Sequence, residues 1–181
     1  MQIEEIPLKG CYLITPEIHK DHRGLFFEAF NQRELEEKLG IPLEFVQDNH
    51  SVSAKGVLRG LHYQASPYGQ SKLVRVAKGE VLDVMVDLRP DSLTFGKHFK
   101  IRLSGINGKM IYMPKGIAHG FIALQDDTHF LYKCGEYYNK GAERGVIFSD
   151  PSLNIDWEYP REEILLSEKD LELPTLKELG K

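Results

Sequence analysis

Between Gly56 and Gly135 the chain is written as short runs of β-branched, aliphatic and aromatic residues separated by turn residues, with no long helical pattern between them. That texture confines the segment to antiparallel strands in a sandwich or barrel, an all-β class. Leu82, Val84, Val86 and Leu88 alternate with Val81, Asp83, Met85 and Asp87, and Lys78-Gly79 joins this run to Leu73-Val74-Arg75-Val76, which predicts a hairpin. Phe99, Ile101 and Leu103 alternate up to Asn107-Gly108, a second hairpin signal, with Met110 to Met113 as the expected return strand. Gly120 to Leu124 and His129 to Cys134 read as two more strands, separated by Asp126-Asp127.

One early helix is expected from Asn31 to Gly40. Asn31 caps it, Glu34 holds the reciprocal capping position, Leu35 and Leu39 share a face, and Gly40 stops it. Glu36-Glu37-Lys38 reads as a solvated face. From Asp150-Pro151 onward the chain is acidic and Pro-punctuated, carries the sole tryptophan, Trp157, and reads as a wrapping arm. No linker, repeat or low-complexity tract divides it, so residues 1–181 are expected to form one domain with terminal decorations. A chain of this length buries about 70% of the surface it exposes when unfolded, so neither disulfides nor a structural metal are required.

The 23 basic and 27 acidic residues give a net charge of −4, with no Lys/Arg block. Extended nucleic acid and anionic membranes are therefore unlooked-for partners. Cys11 and Cys134 stand far apart, no basic-then-apolar leader pattern is present, and no apolar run approaches the ~18 residues of a membrane span, which predicts a cytoplasmic protein. Asn49-His50-Ser51 matches a glycosylation sequon and is discounted for the same reason. Dinucleotide, phosphate-loop, nucleophile-elbow and Cys-x-x-Cys motifs are all missing.

What remains is histidine. Gly108-x5-Pro114-x-Gly116-x2-His119 reproduces the spacing of the second cupin motif, and Gly56-x5-His62 opens like the first. Where a metal-binding cupin has its second His this chain has Gln64, and the motif's Glu is Tyr68 or Gly69, so the ligand set is broken. A single strand histidine is more often structural than catalytic. Arg59, His62 and Lys72, however, crowd a segment otherwise rich in Val and Leu, where inward polar groups are costly unless paired or used. Arg59 and Lys72 could bind an anion while His62 moves a proton. Arg59 and His62 are three apart and fall on opposite faces of a regular strand, so a shared site needs a bulge or bend at Gly60.

Seven segments carry a closer likeness. Asp21-x-Arg23-Gly24-x-Phe26-x-Glu28, Gln47-x-Asn49-x-Ser51-x-Ser53, Gly56-Val57-Leu58-Arg59-Gly60-Leu61-His62-x-Gln64, Gln70-x-Lys72-Leu73-Val74-Arg75-Val76, Asp83-Val84-x-Val86-Asp87-Leu88-Arg89, Pro114-x-Gly116-x-Ala118-His119-Gly120-Phe121 and Ser167-x-Lys169-Asp170 together resemble the dTDP-4-dehydrorhamnose 3,5-epimerase family, over about residues 10 to 175.

The resemblance implies a metal-free cupin jelly roll with short peripheral helices. It also implies epimerisation, at C3 and C5, of a dTDP-linked 4-keto-6-deoxyhexose in the dTDP-L-rhamnose pathway, with no cofactor. Both hydrogens flank the C4 ketone, so a side-chain base suffices if the enolate is stabilised. By the family pattern His62 abstracts the protons, Asp170 holds its far nitrogen, Tyr132 delivers a proton from the opposite face, and Lys72, helped by His119, stabilises the enolate oxygen. Arg59 is assigned to the diphosphate. Arg23, Glu28, Gln47, Asp48 and Asn49 are assigned to the nucleoside, Tyr138 to stacking on thymine, and Glu143 and Lys169 to the substrate site. The family's N-terminal segment crosses to a neighbouring barrel, so the resemblance implies a homodimer in which Arg23 and Glu28 serve the partner. Where the family often has an aromatic residue, two before Asp21, this chain has His19. Three readings stay open: epimerisation at C3 or C5 only, a metal-dependent cupin enzyme using His62 and His119, and a non-catalytic sugar-nucleotide-binding protein.

Overall fold

The computed structural model describes residues 1–180. The strands are β1 (Gln2–Glu5), β2 (Tyr12–Thr15), β3 (His19–Asp21), β4 (Gly24–Phe26), β5 (Gln47–Ser53), β6 (Leu58–Gln64), β7 (Lys72–Lys78), β8 (Glu80–Asp87), β9 (His98–Ser104), β10 (Met110–Met113), β11 (Ile117–Ala123), β12 (Thr128–Cys134) and β13 (Glu143–Gly145). Three short helices, α1 (Gln32–Leu39), α2 (Glu168–Leu171) and α3 (Leu176–Leu179), lie outside them. One sheet has the order β1-β2-β10-β7-β12-β5 and the other β13-β6-β11-β8-β9, while β3 and β4 pair only with each other. All named pairings are antiparallel, which is the expected jelly-roll class. Among the described residues no helix is long and apolar enough to cross a membrane.

Period-2 alternation explains the layers. On β8, Val81 and Met85 meet Val74, Ile111 and Phe130 of the other sheet in the central core. The alternate set, Leu82, Val84 and Val86, packs on the opposite face beneath Phe148, Leu153 and Trp157 of the C-terminal segment. Both faces of β8 are therefore buried, and the expected arm is a full layer. On the far side, Leu35, Leu39 and Leu43 of the α1 region cover Ile14, Leu73 and Met110 of the six-stranded sheet.

Two expected hairpins are corrected. Gly79 joins β7 to β8 and Asn107-Gly108 joins β9 to β10, but each time the two strands belong to different sheets. A turn signal reports reversal of direction, and in this topology the chain reverses while crossing between layers. Gly79 is confined to that corner by a φ of +81° and by Thr128, whose Oγ1 would lie 2.4 Å from an added Cβ.

Helix α1 starts and stops as expected, with Asn31 Oδ1 accepting from the Glu34 amide and Gly40 left-handed. Glu34 does not complete a capping box: its carboxylate pairs with the Met1 amine at 3.3 Å and with Lys38 at 2.8 Å. Nor is the charged face merely solvated, since Glu36 accepts from the Leu43 amide at 2.8 Å.

The bend anticipated at Gly60 is present. His62 faces His119 and Arg59 faces Phe121, so three steps along β6 match two along β11, the signature of a bulge. Gly60 has a φ of +124°, and an added Cβ would lie 2.5 Å from the Gly120 Cα. Gly60→Ala is expected to cost about 2–4 kcal/mol through that clash and the disallowed backbone. Urea unfolding of the variant measures it, and a loss under about 0.5 kcal/mol would mean that the bulge does not depend on glycine.

Candidate active site

The inward faces of the two sheets line a cavity of about 560 Å³, within the usual range for small-molecule sites. On β5 the odd-numbered Gln47, Asn49 and Ser51 turn into it. Asp48, assigned to the nucleoside by resemblance, turns the other way because it is one residue out of phase. It is ion-paired with Lys133 at 2.9 Å on the outer surface, and within this chain it does not reach the cavity. Arg23 and Glu28 are also outside it, in the exposed segment around β3 and β4, where Arg23 pairs with Asp21 at 2.6 Å.

The bulge at Gly60 brings Arg59 and His62 to the same cavity. His62 Nε2 lies 2.6 Å from Asp170 Oδ1, a contact made possible by the C-terminal layer, which carries Asp170 on α2 over β6. A carboxylate only accepts, so Nε2 carries a proton, and in the neutral ring the lone pair is on Nδ1. Burial pushes the Asp170 carboxyl up, but His62 and the Gly60 amide and Ser167 outweigh it and hold it below the ordinary value. Opposite His62 on β11, His119 Nε2 lies 2.7 Å from Asp83 Oδ1 on β8. In the sequence Asp83 is a charge in a Val-rich strand and the first residue of one of the family-like segments, with no role assigned to it. Its Oδ2 is buried with no hydrogen-bond partner among the described residues.

From the six-stranded sheet come Lys72 and Tyr132. Lys72 is buried, its Nζ 3.4 Å from the His62 carbonyl, and desolvation lowers its pKa against the opposing pull of Asp83 and Glu143. Burial pushes the Tyr132 phenol up, so it stays protonated. At the mouth, Glu143 Oε2 takes Tyr138 Oη at 2.8 Å and Lys169 Nζ at 2.5 Å. Burial raises the Glu143 carboxyl, but those two partners bring it below its ordinary value. Arg59, whose Nε donates to Ser53 Oγ at 3.2 Å, has no carboxylate partner among the described residues, so its fork is available to an anion.

The donor set does not match a cupin metal centre. Gln64, at the missing ligand's position, is buried with both ends of its amide bonded to loop backbone, so it is not free to ligate beside His62 and His119. Among the described residues no group of three or more His, Cys, Asp or Glu could hold a metal ion. The arrangement can bind an anion, protonate and deprotonate carbon, and stabilise an oxyanion. Gln64, Ser51 and Gln70 also line the cavity and were not assigned roles from sequence, although the alternation along β5 marks Ser51.

Comparison with known proteins places the chain in a family. The family model described as dTDP-4-dehydrorhamnose 3,5-epimerase matches residues 5–178. The chain is 48% identical over 171 residues to the dTDP-4-dehydrorhamnose 3,5-epimerase of Shigella flexneri, covering 94% of this chain and 93% of that one. It superposes with a TM-score of 0.95 on the crystal structure of the enzyme of that name from Elizabethkingia anophelis, at 46% identity and covering 100% and 99% of the two chains. A Legionella pneumophila dTDP-6-deoxy-D-glucose-3,5-epimerase in complex with dTDP-4-keto-L-rhamnose gives a TM-score of 0.92 at 45% identity, covering 97% of this chain and 93% of that one.

A buried ammonium such as Lys72 opposes folding. Lys72→Met is expected to stabilise the protein by about 1–3 kcal/mol near neutral pH. The lysine's cost is complete below its depressed folded pKa and is relieved as pH rises through that value toward the unfolded one, so the gap between variant and wild type narrows with increasing pH. Denaturant unfolding at several pH values checks both points, and a destabilised variant would mean that the surrounding carboxylates more than compensate the charge.

Proposed function

The chain belongs to the dTDP-4-dehydrorhamnose 3,5-epimerase family, and from that premise we propose that it converts dTDP-4-dehydro-6-deoxy-D-glucose to dTDP-4-dehydro-L-rhamnose by proton exchange at C3 and C5, in dTDP-L-rhamnose biosynthesis. The observation that carries the reading is that His62 stands on one sheet and Tyr132 on the opposing one, both lining a single cavity. Inversion at carbon needs a base on one face of the sugar and an acid on the other, and two packed sheets supply the two faces.

His62 Nδ1 takes the proton alpha to the C4 ketone, the C–H electrons form the enolate double bond, and negative charge gathers on O4. Asp170 steadies the resulting imidazolium through Nε2. Lys72 meets the oxyanion as an ammonium, with His119 beside it and held by Asp83. The Tyr132 hydroxyl then gives its proton to the opposite face, its phenolate is reprotonated from solvent, and the His62 imidazolium returns its proton to solvent before the next deprotonation. The ketone activates both neighbouring carbons alike, so one set of residues acts twice, and no hydride leaves the sugar. Arg59 engages the diphosphate and Tyr138 the thymine, while Glu143 and Lys169 border the sugar.

Arg23 and Glu28 fit this scheme in a homodimer. The segment bearing them is tied to no other strand, with Phe26 71% and Leu25 49% exposed. An apolar pair on a free hairpin needs a cover, and a neighbouring copy of the chain would place Arg23 at that copy's nucleotide.

Incubation of dTDP-4-keto-6-deoxyglucose with the protein in deuterated water is expected to label both C3 and C5. Label at C3 alone reduces the activity to 3-epimerisation, and none removes the epimerase reading. His62→Ala is expected to lower exchange by at least about 100-fold with dTDP affinity nearly unchanged. Phe26→Asp is expected to shift the protein from dimer to monomer in light scattering and to weaken dTDP binding. A wild-type protein that is monomeric at working concentration overturns the shared-site arrangement.

A further inference from the structure

Residues 136–139, in the connection from β12 to β13, border the cavity mouth, and three glutamine side chains hold their backbone. Gln70 Nε2 donates to the Glu136 carbonyl at 2.7 Å, and Gln64 Nε2 donates to the Tyr137 carbonyl at 3.1 Å. The Tyr138 amide donates to Gln47 Oε1 at 2.9 Å, and the Asn139 amide donates to Gln64 Oε1 at 2.7 Å. The other Gln64 N–H goes to the Tyr68 carbonyl at 2.7 Å. Every polar group of this buried amide is therefore used, and its orientation is forced, because carbonyls only accept and backbone amides only donate.

Gln64 grips the carbonyl just before Tyr138 and the amide just after it. The Tyr138 ring itself is 55% exposed, so side-chain burial does little to place it. We propose that Gln64 is a positioning residue for nucleotide binding: standing where a metal-binding cupin has a ligand, it anchors the loop so that Tyr138 is already set to stack on the base. A loop ordered before binding spares the complex that entropy. This rests on the reading of Tyr138 as the thymine platform.

Gln64→Glu conserves volume, retains an acceptor for Asn139, and sets carboxylate oxygen against two carbonyls, so it should release the loop. Calorimetric titration with dTDP and, separately, with inorganic pyrophosphate distinguishes positioning from general damage. The expected result is about tenfold weaker dTDP binding, pyrophosphate affinity within about twofold of wild type, and no further loss of dTDP affinity when Gln64→Glu is added to Tyr138→Ala. Unchanged dTDP affinity, an equal loss for pyrophosphate, or an undiminished loss in the Tyr138→Ala background overturns the proposal. If Tyr138→Ala alone binds dTDP like wild type, the platform reading fails and the proposal with it. If it weakens dTDP while Gln64→Glu does not, only the positioning role fails. Should Gln64→Glu not fold, Gln70→Glu, which removes the single bond to Glu136, decides by the same comparisons.

Discussion

A charged side chain between two packed sheets must find a partner or leave the interior, and that requirement organises this molecule. His119 is met by Asp83 from the adjacent strand and His62 by Asp170 from the C-terminal layer. Lys72 is the exception, buried with a backbone carbonyl as its nearest acceptor and its pKa depressed. A protein built only for stability would replace it with an apolar residue. Its retention is understandable when negative charge develops on the substrate beside it, since a poorly solvated ammonium interacts more strongly with an oxyanion than a hydrated one does.

The C-terminal layer links stability to chemistry. Trp157, Leu153 and Phe148 cover the outer face of β8 and its neighbours, and the same segment continues into α2, where Ser167 caps the turn that holds Asp170 over β6. The residue that orients His62, 108 positions further along the chain, is thus brought in by the apolar burial of the segment that carries it. The Gly60 bulge is the matching device within the sheet, changing the phase of β6 so that Arg59 and His62 share one cavity.

Much of this was legible beforehand. Alternation in Val81–Leu88, the cap and stop of Asn31–Gly40, and the need for a bend at Gly60 are local consequences of side-chain period and backbone freedom, and local rules reached them. The motif likeness gathered His62, Lys72, His119, Tyr132 and Asp170 as a set, and the fold places all five around one cavity. Within this chain Asp48 lies away from the cavity, because the pleat of β5 turns every second residue to the outer surface. The hairpins failed because a turn signal says nothing about which sheet the next strand joins. Gln64 was read as a missing ligand, and its bonds to a loop more than seventy residues later in the chain could not be anticipated from spacing.

The sequence by itself determined an antiparallel β-fold and the absence of redox-cofactor motifs, through residue chemistry and short-range periodicity, and its likeness to one family singled out His62, Tyr132 and Lys72 as candidates for base, acid and cation. Only the tertiary structure decided that His62 and Tyr132 stand on opposing sheets, that Asp83 meets His119, and that three glutamines hold the loop at the mouth. Each of those depends on which strands share a layer, and layer membership is settled by burial summed over the whole chain rather than by any one segment.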